Sequence, residues 1–364
     1  MESMDNRIVY LINTLKVGGA AKMLKYVANL SLRVFSEISI ISIYDDRYDG
    51  QDLDSRIKVV CLGFNDVNRF VRQFLMVTKT KDAIHEINPN YVCSFISHVC
   101  FIGRLATLGD KNIKYISAER GDPFTEHAIW KKIIKWTYLK SDYCFFQLDN
   151  ARDFFGEAVA KKSFVIPNPA ILNSIVKPYF GDREKTIVSA GRFSVEKRYC
   201  DLIDAFAIVH KKYPEYKLII YGDGPMRESY KLQIKNLGIE SFVSLPGYVD
   251  CFAEKIRKDG IFVLSSLFEG IPNALIEAMS VGIPCIATDC TPGGPAFLFN
   301  NQSRGLLVPV KNPQAISDAI ISYIDHPELA KSKAASAVEI VEQLNKELIY
   351  NQWIQSLETI LGHG

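Results

Sequence analysis

The sequence has 364 residues, of which 43 are basic and 41 acidic, and the formal charge of +2 excludes nucleic-acid binding over the whole surface. Hydrophobic residues make up 48% and charged residues 23%, which excludes a disordered or fibrous chain. A chain of this length predicts two domains of about 150 to 180 residues each.

The cysteines and the apolar runs bear on the cell compartment. Eight cysteines without a C-x-x-C pair, most of them in apolar runs, indicate free thiols in a reducing cytoplasm. No basic segment precedes the first apolar run, so we expect no signal peptide. No run of 18 apolar residues occurs, so the sequence predicts no membrane span, and any membrane contact should be peripheral.

Short β-branched or aromatic runs alternate with longer helical patterns in the first half of the chain. Strands are predicted at 7–12, 37–44, 56–62, 91–96, 114–119, 143–147 and 162–168, and helices at 18–32, 67–87, 100–108 and 128–140. This alternation is typical of parallel βα units, and the continuously apolar strands fit a sheet that is covered on both faces.

The pattern breaks at 165–185, "VIPNPAILNSIVKPYFGDREK", which we interpret as an interdomain linker because prolines interrupt it. A second alternation follows. Strands are predicted at 186–192, 217–224, 242–248, 260–266, 284–290 and 305–309, and helices at 199–214, 226–238, around Glu277, and at 313–325, 328–344 and 347–361. The sequence therefore predicts an α/β protein of two tandem, doubly wound, Rossmann-like domains facing a cleft.

Doubly wound domains bind ligands at the loops that follow the strands. Gly18 and Gly19 follow the first strand and precede a helix, where the backbone can approach an anion, although a tight βα turn explains them equally well. Arg192 and Lys197 follow the first strand of the second domain and could grip a diphosphate, or form a merely solvated basic loop. The glycines of 222–224 lack the full G-x-G-x-x-G spacing and also fit a simple turn.

The stretch "LFEGIPNALIEAMSVGIPCI" at 267–286 places Glu269 in a loop after a strand and Glu277 eight positions later in a helix. Free backbone amides around 270–273 would bind oxygens, and a carboxylate near a helix start could bridge two vicinal hydroxyls such as those of ribose. Helix capping is the alternative interpretation. Together with the basic loop, the glutamates fit a nucleoside diphosphate joined to a polyol.

Four segments carry a specific resemblance. "GRFSVEKR", "YGDGP", "LPGYV" and "SLFEGIPNALIEAMSVGIPCIATD", in this order and spacing, resemble the C-terminal domain of retaining glycosyltransferase family 4, of GT-B fold, with its E-x7-E motif. "INTLKVGGAAKML" and "VIPNP" also match, and "SAERGDPF" resembles the capsule and O-antigen polysaccharide branch. The resemblance implies an acceptor-binding domain at 1–168, a nucleotide-sugar-binding domain at 169–345, and a C-terminal helix at 346–364 that packs back on the first domain.

The resemblance also implies roles for the matching residues. Arg192 and Lys197 would bind the donor diphosphate and stabilise the leaving nucleotide, and Glu277 would bind the ribose. The sugar hydroxyls would be held by Glu269 and by the backbone amides of Gly270, Ile271, Pro272 and Asn273. Gly18 and Gly19 would close over the phosphates. Transfer would retain configuration without a metal ion or other cofactor, and no D-x-D motif follows a predicted strand.

The acceptor side departs from many members of that family, which carry a histidine where this chain has Arg120 after Glu119. Arg120 or Asp122 could contact the acceptor, or they could form a structural ion pair. His98, after another strand, could lie near the cleft or be structural.

The predicted helix at 128–140 mixes interfacial aromatic and basic residues, which suits an anionic membrane surface. The same helix could instead pack its apolar side on the sheet, and the two interpretations are compatible. The membrane candidates are Trp130, Lys131, Lys132, Lys135 and Trp136.

The resemblance as a whole implies a hexosyl- or N-acetylhexosaminyltransferase, with a UDP-sugar as the first choice of donor. Its acceptor would be a lipid-linked oligosaccharide or surface polysaccharide at the cytoplasmic face of the cell membrane. A sugar-nucleotide 2-epimerase and a non-catalytic sugar-nucleotide-binding subunit are the alternatives. The sugar, the nucleobase, the linkage and the oligomeric state are not encoded in these motifs.

Overall fold

A computed structural model describes residues 6–16, 19–45, 47–50, 52–64, 69–170 and 176–362. The chain divides into two compact units, unit 1 with residues 1–168 and 347–364, and unit 2 with residues 169–346. The first division falls within the proline-containing linker at the predicted boundary, and the second lies one residue from the predicted one.

Unit 1 contains a sheet in the order β3-β2-β1-β4-β5-β6-β7, and all its strands are parallel. Strands β2 and β3 extend the sheet on one side of β1, and β4 to β7 extend it on the other side, so the strand order changes between β1 and β4. Its strands are β1 (Arg7–Ile12), β2 (Glu37–Ser42), β3 (Lys58–Cys61), β4 (Tyr91–Phe95), β5 (Lys114–Ala118), β6 (Tyr143–Phe146) and β7 (Ser163–Val165). The central strands are buried almost throughout, because their apolar side chains meet helices on both faces.

The helices of unit 1 are α1 (Gly19–Ser31), α2 (Arg69–Ile87), α3 (Ser97–Ala106), α4 (Ala128–Leu139), α5 (Asp149–Asp153) and α6 (Glu157–Ala160). Most of them alternate with the strands, although β3 follows β2 with no described helix between them and α5 and α6 are consecutive. Helix α3 begins three residues before the predicted start at 100, directly after Ile96, whose φ of 76° turns the chain out of β4.

Unit 2 repeats the plan with a parallel sheet in the order β10-β9-β8-β11-β12-β13, which reverses between β8 and β11. Its strands are β8 (Thr186–Ala190), β9 (Lys217–Tyr221), β10 (Val243–Gly247), β11 (Ile261–Leu264), β12 (Cys285–Thr288) and β13 (Leu306–Val308). Its helices are a short 3-10 helix (Val195–Lys197), α7 (Tyr199–Lys212), α8 (Arg227–Asn236), α9 (Phe252–Lys255), α10 (Asn273–Ser280), α11 (Gly294–Phe299), α12 (Pro313–Asp325), α13 (Pro327–Ala337) and α14 (Ile340–Gln343). The predicted class, α/β with two doubly wound domains, is confirmed.

The single helix predicted at 328–344 is wrong, because the chain forms α13 and α14 with a break between them. The buried guanidinium of Arg304 donates to Glu339 Oε2 at 3.1 Å, beside the break, and to Gln343 Oε1 at 2.8 Å. These bonds tie the break and α14 to Arg304, a contact that the helical periodicity of the sequence does not reveal.

The C-terminal helix α15 (Lys346–Gly362) packs on unit 1. Trp353 is fully buried, and its ring stacks on Phe145 of β6 at a centroid distance of 4.5 Å. Among the described helices, none combines the length and the apolar character needed to cross a lipid bilayer.

Candidate functional site

A cavity of about 460 Å³ opens in unit 2 at the carboxyl ends of the strands. This edge, beside the reversal of strand order, is where doubly wound sheets bind ligands. The lining follows β8, β9 and β10 and includes the start of α10: Ala190, Gly191, Arg192, Tyr221, Gly222, Asp223, Tyr248, Val249, Cys251, Phe252, Asn273, Ala274 and Glu277.

Glycine brings the loops after β8 and β9 together. Gly222 has a φ of 132°, and a Cβ at this position would lie 1.9 Å from the carbonyl oxygen of Gly191. Only glycine permits this approach. The glycines at 222–224 therefore shape the wall of the cavity, although they lack the dinucleotide spacing.

Of the two predicted cations, Arg192 lines this cavity and Lys197 lies beside it. Arg192 is exposed and lines it, and no carboxylate in the described ranges forms an ion pair with its guanidinium. Lys197 ends the 3-10 helix, and its Cε would lie 3.4 Å from a Cβ placed on Gly191. The stem of Lys197 therefore runs along the cavity wall.

One of the two cations, Lys197, pairs with the first glutamate of the motif. Lys197 Nζ donates a hydrogen bond to Glu269 Oε1, and Ser266 Oγ donates to the same oxygen at 2.8 Å. Ser266 is fully buried, whereas the side chains of Lys197 and Glu269 keep 21% and 14% of their surface exposed. Within the part of the chain that the structure describes, Glu269 Oε2 accepts no hydrogen bond, so this oxygen can take a ligand hydroxyl.

Hydrogen bonds to backbone carbonyl oxygens fix the loops that carry this pair. Ser265 Oγ donates to the carbonyl oxygen of Lys197 at 2.8 Å, and Leu267 N donates to that of Glu196 at 2.7 Å. Thr288 Oγ1 donates to the carbonyl oxygen of Ser266 at 2.6 Å. Lys197 and Glu269 are thus held as one unit.

The loop before α10 offers backbone donors. The amides of Gly270, Ile271 and Asn273 have no backbone acceptor in the described ranges. Pro272 was counted among the predicted backbone donors, but it is the N-cap of α10, and proline has no N–H to donate. Three amides, and not four, can therefore bind ligand oxygens here.

Glu277 is the fifth residue of α10 and lies on the same helical face as Asn273, one turn earlier. Its carboxylate is half-buried at the cavity and sits near the positive end of the helix dipole. The structure thus brings Glu277 and Arg192, which are far apart in sequence, to one cavity.

Gly294 makes a close approach that we expect to be essential for the fold of this loop. A Cβ at Gly294 would lie 1.4 Å from the carbonyl oxygen of Gly270. Gly294→Ala should therefore lower the free energy of unfolding by about 3 kcal/mol, measured by chemical denaturation. Gly19→Ala is the control, because no described atom lies within 4 Å of its added Cβ; equal stability of both variants would contradict the close approach.

Sequence reasoning missed part of the lining. Tyr248, which is 81% exposed, and the neighbouring Val249, Cys251 and Phe252 follow β10 and face the cavity. The rule that ligands meet the ends of parallel strands applies to this loop as well and could have found it. The described ranges contain no group of three or more histidine, cysteine, aspartate or glutamate side chains placed to hold a metal ion.

The remaining predicted residues belong to unit 1, where Gly18 lies outside the described residues and Gly19 begins α1. Glu119 is buried, and burial raises the pKa of its carboxyl group. Oε2 accepts bonds from Ser97 Oγ at 2.5 Å and Tyr138 OH at 2.9 Å. Oε1 accepts from the amides of Arg120 and Gly121 at 3.0 and 2.8 Å. Glu119 is therefore satisfied within the protein, and it ties the end of β5 to α3 and α4.

The side chain of Arg120 also points into the interior of unit 1. Its guanidinium lies 5.6 Å from the ring centroid of Phe95 and 5.2 Å from that of Trp353, and it donates to Asn168 Oδ1 at 3.2 Å. Burial lowers its pKa to about 10. No carboxylate in the described ranges pairs with it, so ring contacts replace the ion pair that was considered. Asp122 forms a turn instead, since its Oδ1 accepts a 2.9 Å bond from the amide two residues later.

His98 is half-buried on the first turn of α3, and its ring centroid lies 5.7 Å from that of Trp130. Burial and the nearby positive charge of Arg72 lower its pKa, which favours the neutral imidazole. His98 therefore lies at the carboxyl edge of the sheet of unit 1.

The membrane candidates on α4 divide into two groups. Trp130 and Trp136 are half-buried against Phe101, at ring distances of 5.6 and 6.5 Å. Lys132 and Lys135 are exposed, whereas Lys131 is half-buried. The apolar side of the helix does pack inward, through the buried residues Ile134, Thr137 and Tyr138.

The sequence is similar to those of known glycosyltransferases. Residues 173–338 match the family model "Glycosyl transferases group 1". Over 350 residues the chain is 25% identical to an uncharacterized glycosyltransferase of Haemophilus influenzae, covering 94% of this chain and 97% of the relative. Over 360 residues it is 23% identical to the GalNAc-alpha-(1->4)-GalNAc-alpha-(1->3)-diNAcBac-PP-undecaprenol alpha-1,4-N-acetyl-D-galactosaminyltransferase of Campylobacter jejuni, covering 97% and 99%.

A solved structure extends the likeness to the fold of the whole chain. HepE of Anabaena in complex with UDP superposes with a TM-score of 0.78 at 18% identity, covering 97% of this chain and 100% of that one. Taken together, the matched domain, the full-length relatives and the shared fold support a glycosyltransferase of GT-B fold.

Proposed function

We propose that this chain is a retaining, metal-independent family 4 glycosyltransferase of the capsule and O-antigen branch. It moves a hexosyl or N-acetylhexosaminyl group from a UDP-sugar to a lipid-linked oligosaccharide or surface polysaccharide. The observation that carries this proposal is the cavity of unit 2, which joins Arg192 and Glu277 and has the Lys197–Glu269 pair against its wall.

Each part of a nucleotide sugar has a partner at this cavity. Arg192 and Lys197 supply charge-assisted donors for the diphosphate. Glu277 accepts from the two ribose hydroxyls, and the ring of Tyr248 is exposed beside it for the base. The UDP and UDP-glucose complexes of HepE support the choice of a UDP-sugar.

The chemistry follows from these positions. The bond between the sugar C1 and the diphosphate oxygen breaks, and its electron pair stays on the leaving phosphate, whose charge Arg192 and Lys197 offset. Glu269 Oε2 and the amides after it hold the sugar hydroxyls. The acceptor oxygen then bonds to C1 on the same face, and its proton passes to the departing phosphate oxygen.

The acceptor and the location rest on other observations. The Campylobacter jejuni relative is named for an undecaprenol-linked acceptor, which supports a lipid-linked glycan here. Exposed Ile129 and Leu139 on α4, with exposed Lys132 and Lys135, support peripheral contact with the anionic inner face of the cell membrane. The proposed location is therefore cytoplasmic and peripheral.

A thermal-shift screen in EDTA tests the donor site. UDP or one UDP-sugar should raise the melting temperature by about 5 °C near a hundredfold excess over Kd, because only ligands of the folded state stabilise it. GDP and ADP serve as matched controls and should shift it less. Stabilisation that requires a divalent metal would contradict metal-independent binding.

Transfer itself separates the alternatives. A retaining transferase should release UDP only with an acceptor and give a product of unchanged anomeric configuration, read by NMR. A 2-epimerase would convert the UDP-sugar without any acceptor. A non-catalytic subunit would bind the nucleotide and release no product with any acceptor.

A further inference from the structure

Three half-buried polar side chains of unit 1 lie on the first turns of successive helices. Arg72 is the fourth residue of α2, His98 the second of α3 and Trp130 the third of α4. In a parallel α/β sheet the first turns of the helices lie at the carboxyl edge of the strands, where ligands bind. We call these three residues the edge cluster.

Aromatic rings contact the residues of the edge cluster. The ring centroid of Trp130 lies 5.7 Å from that of His98 and 5.6 Å from that of Phe101. The guanidinium of Arg72 lies 6.0 Å from the ring centroid of Tyr44, two residues after β2. The cluster is therefore packed into the surface, unlike a set of mobile surface side chains.

The polar atoms of the cluster are left for a ligand. Neither Arg72, His98 nor Trp130 makes a side-chain hydrogen bond to any residue in the described ranges. A neutral imidazole can donate and accept, a guanidinium donates in a fork, and an indole donates once. Half-buried donors without protein partners, beside a flat ring, suit a ligand that has both hydroxyls and an apolar face.

We propose that Arg72, His98 and Trp130 bind a sugar ring of the acceptor glycan. The inference rests on the proposed function and extends it to the residues that recognise the acceptor. The C–H face of the pyranose packs on the indole of Trp130, and its hydroxyls bond to His98 and Arg72.

The position of Trp130 on α4 favours a glycan over a membrane. At i, i+4 and i+7 spacing, Trp130 shares its helical face with Ile134 and Thr137, which are buried. Leu139, which is 50% exposed, lies on the opposite side of the helix, and Ile129, which is 77% exposed, lies about 100° from Trp130 around the helix axis. Trp130 is therefore not part of the exposed apolar side that a membrane would contact.

Fluorine NMR of the full chain labelled with 5-fluorotryptophan tests the proposal directly. The chain has three tryptophans, and Trp130→Phe and Trp136→Phe assign the resonances. The probes are methyl α- and β-glycosides of glucose, galactose, mannose and their N-acetylamino forms. At least one of them should shift the Trp130 resonance saturably. His98→Ala should weaken this binding about tenfold, which corresponds to ~1.4 kcal/mol.

Trp136 is the matched control. It packs on the same Phe101 but lies six residues later, about 9 Å along the helix, so its resonance should not move. If no glycoside moves the Trp130 resonance, or if only phosphatidylglycerol vesicles do, the proposal is overturned. UDP stabilisation and transfer by the same sample would then show that the proposed function stands and only the assignment of the edge cluster has failed.

Discussion

Glu269→Ala is expected to lower the rate of sugar transfer by roughly 10³-fold while the protein remains folded and still binds UDP. Glu269 Oε1 is held by Lys197 and Ser266, and Oε2 has no partner in the described ranges. The carboxylate is thus oriented in advance with one oxygen free for the sugar. Without it the sugar can turn away from the attacking hydroxyl, and preorganisation of this kind supplies much of an enzyme's rate.

The fold should survive, because the remaining charge can be solvated. Lys197 keeps 21% of its side chain exposed, so water can reach its ammonium group once Glu269 is gone. Glu269→Gln separates the two effects of the carboxylate. It keeps an oxygen for the Ser266 hydroxyl and removes the negative charge, so its activity should lie between those of the native protein and the alanine variant.

The measurements are kcat and KM for the UDP-sugar, together with UDP binding by calorimetry. Ser266→Ala is a graded companion variant, since it removes only the hydrogen bond that positions Glu269 Oε1. It should lower kcat about tenfold with little change in KM. Unchanged turnover in Glu269→Ala would contradict the assignment of the sugar site.

The strands of each sheet were predictable because parallel strands that are covered on both faces appear in the sequence as unbroken apolar runs. The loops after β8 and β11 were predictable for a related reason. Once the strands are placed, the carboxyl ends of neighbouring strands must meet at one edge, so Arg192 and Glu269 were expected at the same edge of the sheet. Proline in the linker marked the division of the chain at Asn168.

What the sequence does not contain is the direction of individual side chains. Arg120 follows a strand, as a ligand-binding residue would, but Phe95 and Trp353 surround its guanidinium, and Trp353 comes from the far end of the chain. Ser266 has no motif of its own, and its role appears only when its hydroxyl is seen to point at Glu269. Contacts that depend on rotamers and on distant segments therefore have to be read from the structure.

Replacing both Arg192 and Lys197 with alanine is expected to weaken UDP binding at least about 100-fold, which corresponds to ~2.7 kcal/mol. Each of these cations can give charge-assisted hydrogen bonds to the diphosphate, and a bond of this kind contributes about 1.5–3 kcal/mol. Calorimetry with UDP alone measures the effect without any acceptor or sugar.

Arg198→Ala is the matched control, because it removes a neighbouring positive charge that the structure turns elsewhere. The guanidinium of Arg198 is held by Asp201, with Nε and NH2 at 2.9 and 2.6 Å from its two carboxylate oxygens. This variant should bind UDP within about threefold of the native protein, as expected for a screened charge that makes no contact. Equal losses in both variants would mean that net charge, and not the cavity geometry, attracts UDP.

The two single variants should differ in UDP affinity, because only Lys197 forms an ion pair with Glu269. Lys197→Ala leaves Glu269 as an unpaired carboxylate with 14% of its side chain exposed, facing the incoming diphosphate. Arg192→Ala removes a cation that has no carboxylate partner in the described ranges and leaves no such repulsion. Lys197→Ala should therefore cost more UDP affinity, and adding Glu269→Gln to it should restore part of the loss. If the second substitution restores nothing, the diphosphate does not approach the pair, and the phosphate site must lie elsewhere along the cavity.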